Sequence, residues 1–313
     1  MKSVRNGWVR SDISMVGKNI IITGANAGIG FITTRDLVKR GGRVILACRN
    51  MELALAAKDT ILKETGKEEK YVVVKKLDLS SLQSIRDFAH DINQTERRID
   101  VLINNAGVML CPETKTKDGF ESHFGVNHLG HFLLTNLLLD LLKHSAPSRV
   151  VIVASEAHRI GKTYIQWSDM NSGEGMDTYC RSKLMNILFA RELSDRLKGS
   201  GVTVNSLHPG VIRSGLWQHL HDEELSIWRW VLHKTMNPFM KMFWKSPEYG
   251  AQTTIYCSVA PELLNVTGKY FSDCAIAYES GEAKSKRNAV KLWNISCELT
   301  GINEFITFPT HRL

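Results

Sequence analysis

Residues 20–30 read IIITGANAGIG and join an apolar run directly to three glycines, Gly24, Gly28 and Gly30. A run of isoleucines is typical of a strand that is covered on both faces. Glycine after such a strand permits a tight turn and lets a ligand approach the backbone closely. The N-terminus of the helix that follows would present free N–H groups and a partial positive charge to an anion. The stretch therefore predicts a strand, a glycine turn and a helix that together bind a pyrophosphate.

The same alternation of strand and helix continues along the chain. Strands are predicted over 19–23, 43–48, 70–77, 101–104, 149–154, 202–207 and 268–271. Helices are predicted over 29–40, 52–63, 82–93, 119–143, 179–197, 249–258 and 283–299. Continuous apolar strands separated by helices indicate a parallel, doubly wound sheet. Because crossovers are right-handed, we expect an α/β fold of the Rossmann type.

Length and composition predict one domain. The 313 residues are 43% hydrophobic and 23% charged, which is ordinary for a globular protein. We expect an N-terminal extension over 1–16, the domain over 17–280 with a lid at about 215–247, and a C-terminal surface tail over 281–313. The six cysteines contain no Cys-x-x-Cys pair, and the first residues contain no apolar run. These features predict a cytoplasmic protein without a signal peptide or a membrane-spanning segment.

The net charge of +8 does not by itself indicate a nucleic acid partner. The basic residues are dispersed, and no recognition helix or zinc pattern accompanies them. We expect a solvated basic surface and a basic anion pocket. His128 and His131 are three residues apart, but no flanking pattern of ligands surrounds them, so no metal site is expected.

The end of the second predicted strand indicates which dinucleotide binds. An acidic residue at this place would bond the ribose 2′-hydroxyl of NAD. The chain has Cys48 and Arg49 there instead. A guanidinium binds a 2′-phosphate that a carboxylate would repel, so the sequence predicts NADP(H). The alternative is that Arg49 is only a surface residue. The glycine loop itself contains no basic residue, so the prediction of NADP(H) depends mainly on Arg49.

Four short motifs occur in order: TGANAGIG at 23–30, LDL at 77–79, NNAG at 104–107 and HPGVIRS at 208–214. With Asn127, Ser155, Tyr179 and Lys183 they resemble the short-chain dehydrogenase/reductases over roughly 17–271. The resemblance implies that those four residues are a catalytic tetrad. It also implies that the cofactor is bound by Gly24, Asn26, Gly28, Ile29, Gly30, Arg49, Asp78, Asn105, Ala106, Gly107, Tyr179, Lys183, Pro209, Gly210, Val211 and Ser214. Within this set, Asp78 would hold the adenine amino group and Ser214 the nicotinamide carboxamide.

Four longer stretches of the sequence resemble one particular group within this family. The stretches at 42–50, 126–139, 179–197 and 246–263 look like the NADP-dependent retinol dehydrogenase group. This implies reduction of retinal and lipid aldehydes and a place at the endoplasmic reticulum. Two features depart from the group: we expect no N-terminal anchor helix from this sequence, and the usual double serine reads Ala154 and Ser155.

Tyr179 and Lys183 lie four residues apart and therefore share one helical face. A free tyrosine titrates near about 10, and a neighbouring ammonium and an oxidised nicotinamide both favour the phenolate. Our hypothesis is that Tyr179 exchanges a proton with the substrate oxygen, while Lys183 lowers the pKa of Tyr179 and holds the ribose. Ser155 would hydrogen-bond the same substrate oxygen, and Asn127 would hold a water that links Lys183 to solvent. The cofactor would supply the hydride.

Residues 225–245 read LSIWRWVLHKTMNPFMKMFWK, which mixes aromatic and basic side chains. The stretch is too charged and too interrupted to span a bilayer. We expect it to cover an apolar substrate and to touch a membrane surface peripherally. An ordinary packed helical hairpin or a homodimer contact is the alternative.

Taken together, the sequence predicts an NADP(H)-dependent oxidoreductase that acts on an apolar aldehyde or alcohol. One alternative is a reductase of ketones or steroids with the same chemistry. The other alternative is an NADP-binding scaffold without turnover, against which the complete tetrad argues.

Overall fold

The computed structural model describes residues 4–5, 7–10, 12–109, 115–159, 165–210 and 246–302. Its strands are β1 (Val4–Arg5), β2 (Trp8–Val9), β3 (Asn19–Thr23), β4 (Arg43–Cys48), β5 (Val72–Lys76), β6 (Val101–Asn104), β7 (Ser148–Val153), β8 (Val202–His208), β9 (Tyr270–Ser272) and β10 (Ala275–Ile276). Its α-helices are α1 (Gly28–Lys39), α2 (Met51–Thr65), α3 (Leu82–Thr95), α4 (Gly130–Leu137), α5 (Leu139–His144), α6 (Gly175–Arg196), α7 (Pro247–Val259) and α8 (Lys286–Thr300). A π-helical segment (His123–Leu129) precedes α4, and a 3₁₀ turn (Glu156–Arg159) follows β7.

Eight strands form one sheet in the order β10-β9-β8-β7-β6-β3-β4-β5. All neighbouring pairs are parallel except β9 and β10. The chain runs outward from β3 to β5 and then returns to place β6 on the other side of β3, so the strand order reverses between β3 and β6. Ligands of open α/β sheets bind at such a reversal, beyond the carboxyl ends of the strands. The predicted doubly wound α/β fold is confirmed.

The isoleucines of the opening stretch show why β3 lies at the centre of the sheet. Ile20 and Ile22 pack into the cluster on one face of the sheet, and Ile21 packs into the cluster on the other face. Successive side chains of a strand point to opposite faces, so this alternation is what a fully covered strand requires. All three are completely buried, and each such burial contributes roughly 1.5–3 kcal/mol.

Strands β1, β2 and β10 were not predicted, and two further differences concern helices that pack in the core. The helix predicted over 119–143 is divided into the π-helical segment, α4 and α5. Helix α8 was predicted as part of a surface tail, but its buried face packs against α6 and adds Trp293 and Cys297 to the core. The Trp293 ring meets Phe132 edge-on with 5.0 Å between ring centroids.

Residues 211–245 lie outside the described ranges, and they include almost all of the predicted lid. No helix in the part of the chain that the structure describes has both the length and the apolar character needed to cross a bilayer.

The packing of α8 predicts a large loss of stability when its tryptophan is removed. Trp293 is 2% exposed, so Trp293→Ala should lower the free energy of unfolding by about 3–5 kcal/mol. Tyr278→Ala is the control because Tyr278 is 83% exposed, and it should change stability by less than about 0.5 kcal/mol. Urea unfolding followed by circular dichroism measures both. Equal stabilities for the two variants would contradict the packing of α8 into the core.

Candidate active site

A cavity of about 670 Å³ lies at the carboxyl ends of β3 to β8. Every residue of the predicted cofactor set that lies within the described ranges lines it: Gly24, Asn26, Gly28, Ile29, Gly30, Arg49, Asp78, Asn105, Ala106, Gly107, Tyr179, Lys183, Pro209 and Gly210. Val211 and Ser214 lie outside the described residues. The fold therefore brings together in one cavity residues that are up to 186 positions apart, from Gly24 to Gly210.

The glycine loop forms the floor of the cavity. Gly24 and Gly28 have φ angles of +63° and +55°, in the left-handed region that favours glycine. A Cβ atom on Gly30 would lie 2.4 Å from the carbonyl oxygen of Gly24, so no larger residue fits there without a shift of the backbone. Ala27 precedes α1 and has no polar side chain with which to cap it. The first N–H groups of α1 thus suit an anion, and the close-packed floor fits a pyrophosphate.

One hydroxyl fastens this loop to the neighbouring one. The Thr23 Oγ1 atom accepts hydrogen bonds from the N–H groups of Asn105 and Ala106, both at 2.9 Å. The side-chain amide of Asn105 returns a hydrogen bond to the Thr23 carbonyl at 2.8 Å. The loops after β3 and β6 therefore form one rigid surface.

His131 extends this connection to the predicted tetrad, and sequence reasoning did not identify it. Both lone pairs of Thr23 Oγ1 are occupied, so its proton points to His131 Nε2 at 2.9 Å. The imidazole Nδ1–H then donates to the carbonyl oxygen of Asn127 at 3.0 Å. Burial lowers the pKa of His131 to about 4, so the ring is neutral and acts as a bridge. The only signal in the sequence is that His131 lies four residues after Asn127.

At the far end of the cavity, Asp78 is held as a carboxylate. It accepts hydrogen bonds from the Ser80 N–H and hydroxyl and from the Lys117 ammonium, the last at 2.9 Å. Burial raises the pKa of Asp78, but these hydrogen bonds outweigh it and the pKa lies below its usual value. Lys117 is distant in sequence, and the motif that contains Asp78 does not predict it.

Arg49 lies at the rim of the cavity, directly after β4, and its side chain is exposed. The next residue, Asn50, caps α2 by accepting a hydrogen bond from the Leu53 N–H at 3.0 Å. A guanidinium beside a helix N-terminus is an arrangement that favours a phosphate group.

The structure brings Tyr179, Lys183 and Ser155 together. Tyr179 and Lys183 are buried on α6, and the Lys183 ammonium lies 5.6 Å from the centre of the Tyr179 ring. The same ammonium donates to the Val153 carbonyl at 3.3 Å. Ser155 follows β7, and its side chain lies near enough to the Tyr179 phenol for hydrogen bonding to it to lower the pKa of the phenol. A substrate oxygen placed beside the phenol would therefore also meet the serine hydroxyl.

Burial sets the protonation of this group. It raises the pKa of Tyr179 to about 12, although the hydrogen bond from Ser155 acts in the opposite direction. It also lowers the pKa of Lys183 to about 8. Near pH 7 the site therefore contains a neutral phenol beside an ammonium. The sequence led us to expect that Lys183 lowers the pKa of Tyr179. Desolvation of the phenol is instead the largest influence on this pKa, and the net shift is upward.

Asn127 lies in the π-helical segment and connects it by hydrogen bonds to the loop after β6 and to α6. Its amide oxygen accepts from the Val108 N–H at 2.8 Å, and its amide nitrogen donates to the Val108 carbonyl and the Ser182 hydroxyl, both at 3.0 Å. A Cβ atom on Gly107 would lie 3.3 Å from both the Asn127 amide oxygen and the Lys183 ammonium. Glycine at this position thus keeps open the space between the two groups.

A buried proton donor, a lysine and a cradle for a dinucleotide in one cavity define a nucleotide-dependent oxidoreductase. The chain belongs to the short-chain dehydrogenase family, since the model of that family matches residues 18–225.

Within the family, the chain belongs to the group of the retinol dehydrogenases. It is 47% identical to bovine (Bos taurus) retinol dehydrogenase 12 over 304 residues, which cover 96% of this chain and 92% of that protein. It is 48% identical to human (Homo sapiens) retinol dehydrogenase 13 over 305 residues, which cover 96% and 89%.

Solved structures show the same fold. An uncharacterized protein from Mycobacterium Paratuberculosis has a TM-score of 0.72 and 33% identity, over 92% of this chain and 95% of that one. The complex of Pseudomonas aeruginosa RhlG with NADP has a TM-score of 0.65 and 25% identity, over 88% and 100%. The protein is an oxidoreductase that uses a nicotinamide cofactor.

The pKa values predict an alkaline limit to carbonyl reduction. Lys183 is cationic below its pKa of about 8 and neutral above it, whereas Tyr179 remains protonated up to a pKa of about 12. The value of kcat/KM for reduction should therefore be constant below pH 8 and fall above it. In Lys183→Arg, which stays charged, the residual activity should keep its plateau to beyond pH ~10. An unchanged alkaline limit in this variant would assign the titration to another group.

Proposed function

We propose that the protein is an NADP(H)-dependent enzyme that interconverts apolar aldehydes and alcohols, with retinal and retinol as the representative pair. The observation that carries this proposal is the neutral, buried phenol of Tyr179. It is held by Ser155 and lies beside Lys183, in the same cavity as the glycine cradle. A carbonyl reductase needs this arrangement, because the alkoxide that forms must receive a proton from a side chain and not from bulk water.

The proposed reduction divides the work between the cofactor and the chain. A bound nicotinamide dinucleotide would supply the hydride for the carbonyl carbon. Ser155 donates a hydrogen bond to the carbonyl oxygen and orients it. Tyr179 gives its phenolic proton to that oxygen, so the product is a neutral alcohol. In the reverse direction Tyr179 accepts the proton from the alcohol.

Lys183 and Asn127 are proposed to support this transfer. The Lys183 ammonium stabilises the phenolate that forms when Tyr179 loses its proton. It also lies where it can hold the ribose hydroxyls. The Asn127 amide oxygen faces the same space over Gly107 as the ammonium, so a water placed there would connect Lys183 to solvent.

Two observations support NADP(H) as the cofactor. Arg49 lies at the rim of the cavity beside the capped start of α2, at the place where NAD enzymes carry an acidic residue. Its guanidinium suits a 2′-phosphate. A structural neighbour with 25% identity has been solved with NADP.

The substrate class rests on the relatives and on the cavity walls. Proteins that are 47–48% identical over most of the chain are retinol dehydrogenases. Met109 and Met176 line the cavity together with Tyr179, and flexible thioether side chains suit a long apolar substrate. Residues 225–245, whose sequence mixes aromatic and basic side chains, are proposed to cover the substrate and to contact the endoplasmic reticulum membrane.

Loss of the phenolic hydroxyl should abolish the reaction. Tyr179→Phe should lower kcat for retinal at least about 10²-fold, because the proton donor is gone while the ring still packs. NADPH oxidation measured with retinal, a medium-chain aldehyde and a ketosteroid also ranks the substrate classes. Full activity of the variant would refute the mechanism, and a clear preference for the ketosteroid would refute the aldehyde assignment.

Reversal of the charge at the rim should change the cofactor preference. Arg49→Asp should weaken NADPH binding at least about 10-fold and leave NADH binding within about 2-fold, because only NADPH carries the 2′-phosphate. Fluorescence titration with each dinucleotide measures both affinities. Lys67→Asp is the control, since Lys67 contacts the Tyr71 ring and does not line the cavity. Equal losses for both dinucleotides would show that Arg49 does not bind the 2′-phosphate.

A further inference from the structure

The turn that follows β7 is held by a histidine that the proposed mechanism does not use. The carbonyl oxygen of Ser155 accepts two hydrogen bonds from His158, one from its backbone N–H at 3.2 Å and one from Nδ1 at 2.6 Å. The His158 side chain is completely buried. Its ring meets the Tyr270 ring edge-on, with 5.1 Å between the centroids. A buried histidine thus fixes the backbone of a proposed catalytic residue.

The other ring nitrogen of His158 shows which tautomer is present. The backbone N–H of Ser280 donates to Nε2 at 3.2 Å. A backbone N–H can only donate, so Nε2 carries no proton, and the neutral ring has its proton on Nδ1. Burial lowers the pKa of His158, which agrees with a neutral ring. The chain of donors therefore runs in one direction, from Ser280 through His158 to the carbonyl of Ser155.

Ser280 belongs to a short stretch, residues 279–283, that is also attached to the helix of the tyrosine. Arg191 on α6 donates from Nε to the Ala283 carbonyl at 3.1 Å. The same guanidinium forms an ion pair with Glu279. Helix α6 carries Tyr179 and Lys183. Residues 279–283 therefore contact both catalytic elements, the turn with Ser155 through His158 and α6 through Arg191.

We propose that His158 is a positioning residue that connects residues 279–283 to Ser155 and so fixes the serine hydroxyl relative to Tyr179. The inference rests on the role proposed above for Ser155. The hydroxyl depends on the turn because Ser155 Oγ accepts a hydrogen bond from the Ala157 N–H at 3.1 Å within it. On the other side, the Glu156 N–H donates to His208 Nδ1 at 3.2 Å. A shift of about 1 Å in a positioned group can lower a rate about 10²-fold.

This proposal gives the C-terminal part of the chain a function in catalysis. Sequence patterns assign no role to residues after 280, because the contact between Ser280 and His158 joins positions 122 residues apart. Residues 279–283 do not line the cavity, and they reach Ser155 only through His158. Residues 279–283 hold both catalytic elements without themselves touching the substrate.

Three substitutions of His158 separate positioning from simple packing. In His158→Asn the amide nitrogen takes the place of Nδ1 and can still donate to the Ser155 carbonyl. In His158→Gln the side-chain amide takes the place of Nε2, so of the two side-chain hydrogen bonds only the one with Ser280 can persist. His158→Phe keeps the ring against Tyr270 and loses both bonds. His144→Phe is the matched control, because His144 is exposed and donates from Nδ1 to a backbone carbonyl, that of Asp140, at 2.7 Å.

The experiment measures kcat and KM for retinal, the affinity for NADPH by fluorescence and the melting temperature of each full-length variant. We expect kcat to fall about 10- to 100-fold in His158→Phe and His158→Gln. In His158→Asn, which keeps the bond to the Ser155 carbonyl but loses the connection to Ser280, it should fall by a smaller factor of about 3- to 10-fold, and in His144→Phe it should stay within about 2-fold. Affinity for NADPH should stay within about 2-fold throughout, since the glycine loop is not touched.

Two results would overturn the inference: full kcat in His158→Phe, or losses in His158→Asn and His158→Gln that are equal and follow the melting temperatures. If the phenylalanine variant does not fold, the contrast between Asn and Gln decides the question alone. Tyr179→Phe in the same series keeps the proposals separate. An inactive unmodified protein, or full activity of Tyr179→Phe, would refute the proposed function, whereas active protein with a fully active His158→Phe would refute only the positioning role.

Discussion

The site depends on the hydroxyl of Thr23. This one oxygen accepts hydrogen bonds from two backbone N–H groups of the loop after β6 and gives its proton to His131. It therefore binds the glycine loop, the loop after β6 and the helix of Asn127 into one unit. The reversal of strand order between β3 and β6 makes this contact inevitable, because the two loops emerge side by side from the sheet. This junction connects the predicted dinucleotide cradle to the predicted catalytic residues through hydrogen bonds.

The second constraint is the burial of charge. The pKa of Lys183 lies at about 8 instead of 10.5, which corresponds to roughly 3 kcal/mol against the charged form in the folded protein. The surrounding groups hold the ammonium at the Val153 carbonyl and near the Tyr179 ring. The buried ammonium thus lowers the free energy of unfolding. The covered strands and helices such as α8 raise it. The same desolvation keeps the phenol of Tyr179 neutral, which is the form that gives a proton to a carbonyl oxygen.

Sequence patterns predicted the central part of the fold closely. Strands β3, β4 and β6 occupy the predicted residues, because glycine turns and helix ends border their apolar runs on both sides. The prediction of one continuous helix over 119–143 was wrong. The amide of Asn127 pairs with the backbone of Val108, and the segment around it adopts π-helical geometry that periodicity does not reveal.

The site was predictable to the extent that its residues lie in short motifs. Lys117, His131 and His158 were missed because each makes a contact with a residue at least 39 positions away in the sequence, which local spacing does not reveal. The protonation of Tyr179 was missed for a related reason. A spacing of four residues shows that Lys183 is near, but it does not show how completely both side chains are buried.

The proposed mechanism requires the phenol of Tyr179 to face both the reactive carbon of the nicotinamide and the substrate oxygen. A crystal structure with NADP⁺ and an unreactive alcohol or carbonyl analogue tests it most directly. We expect the phenolic oxygen within about 2.6–3.2 Å of the analogue's oxygen, with the Ser155 hydroxyl at a similar distance and the nicotinamide ring on the same side. A phenol that points away from the ring and from the analogue, with both ligands fully bound, would contradict it.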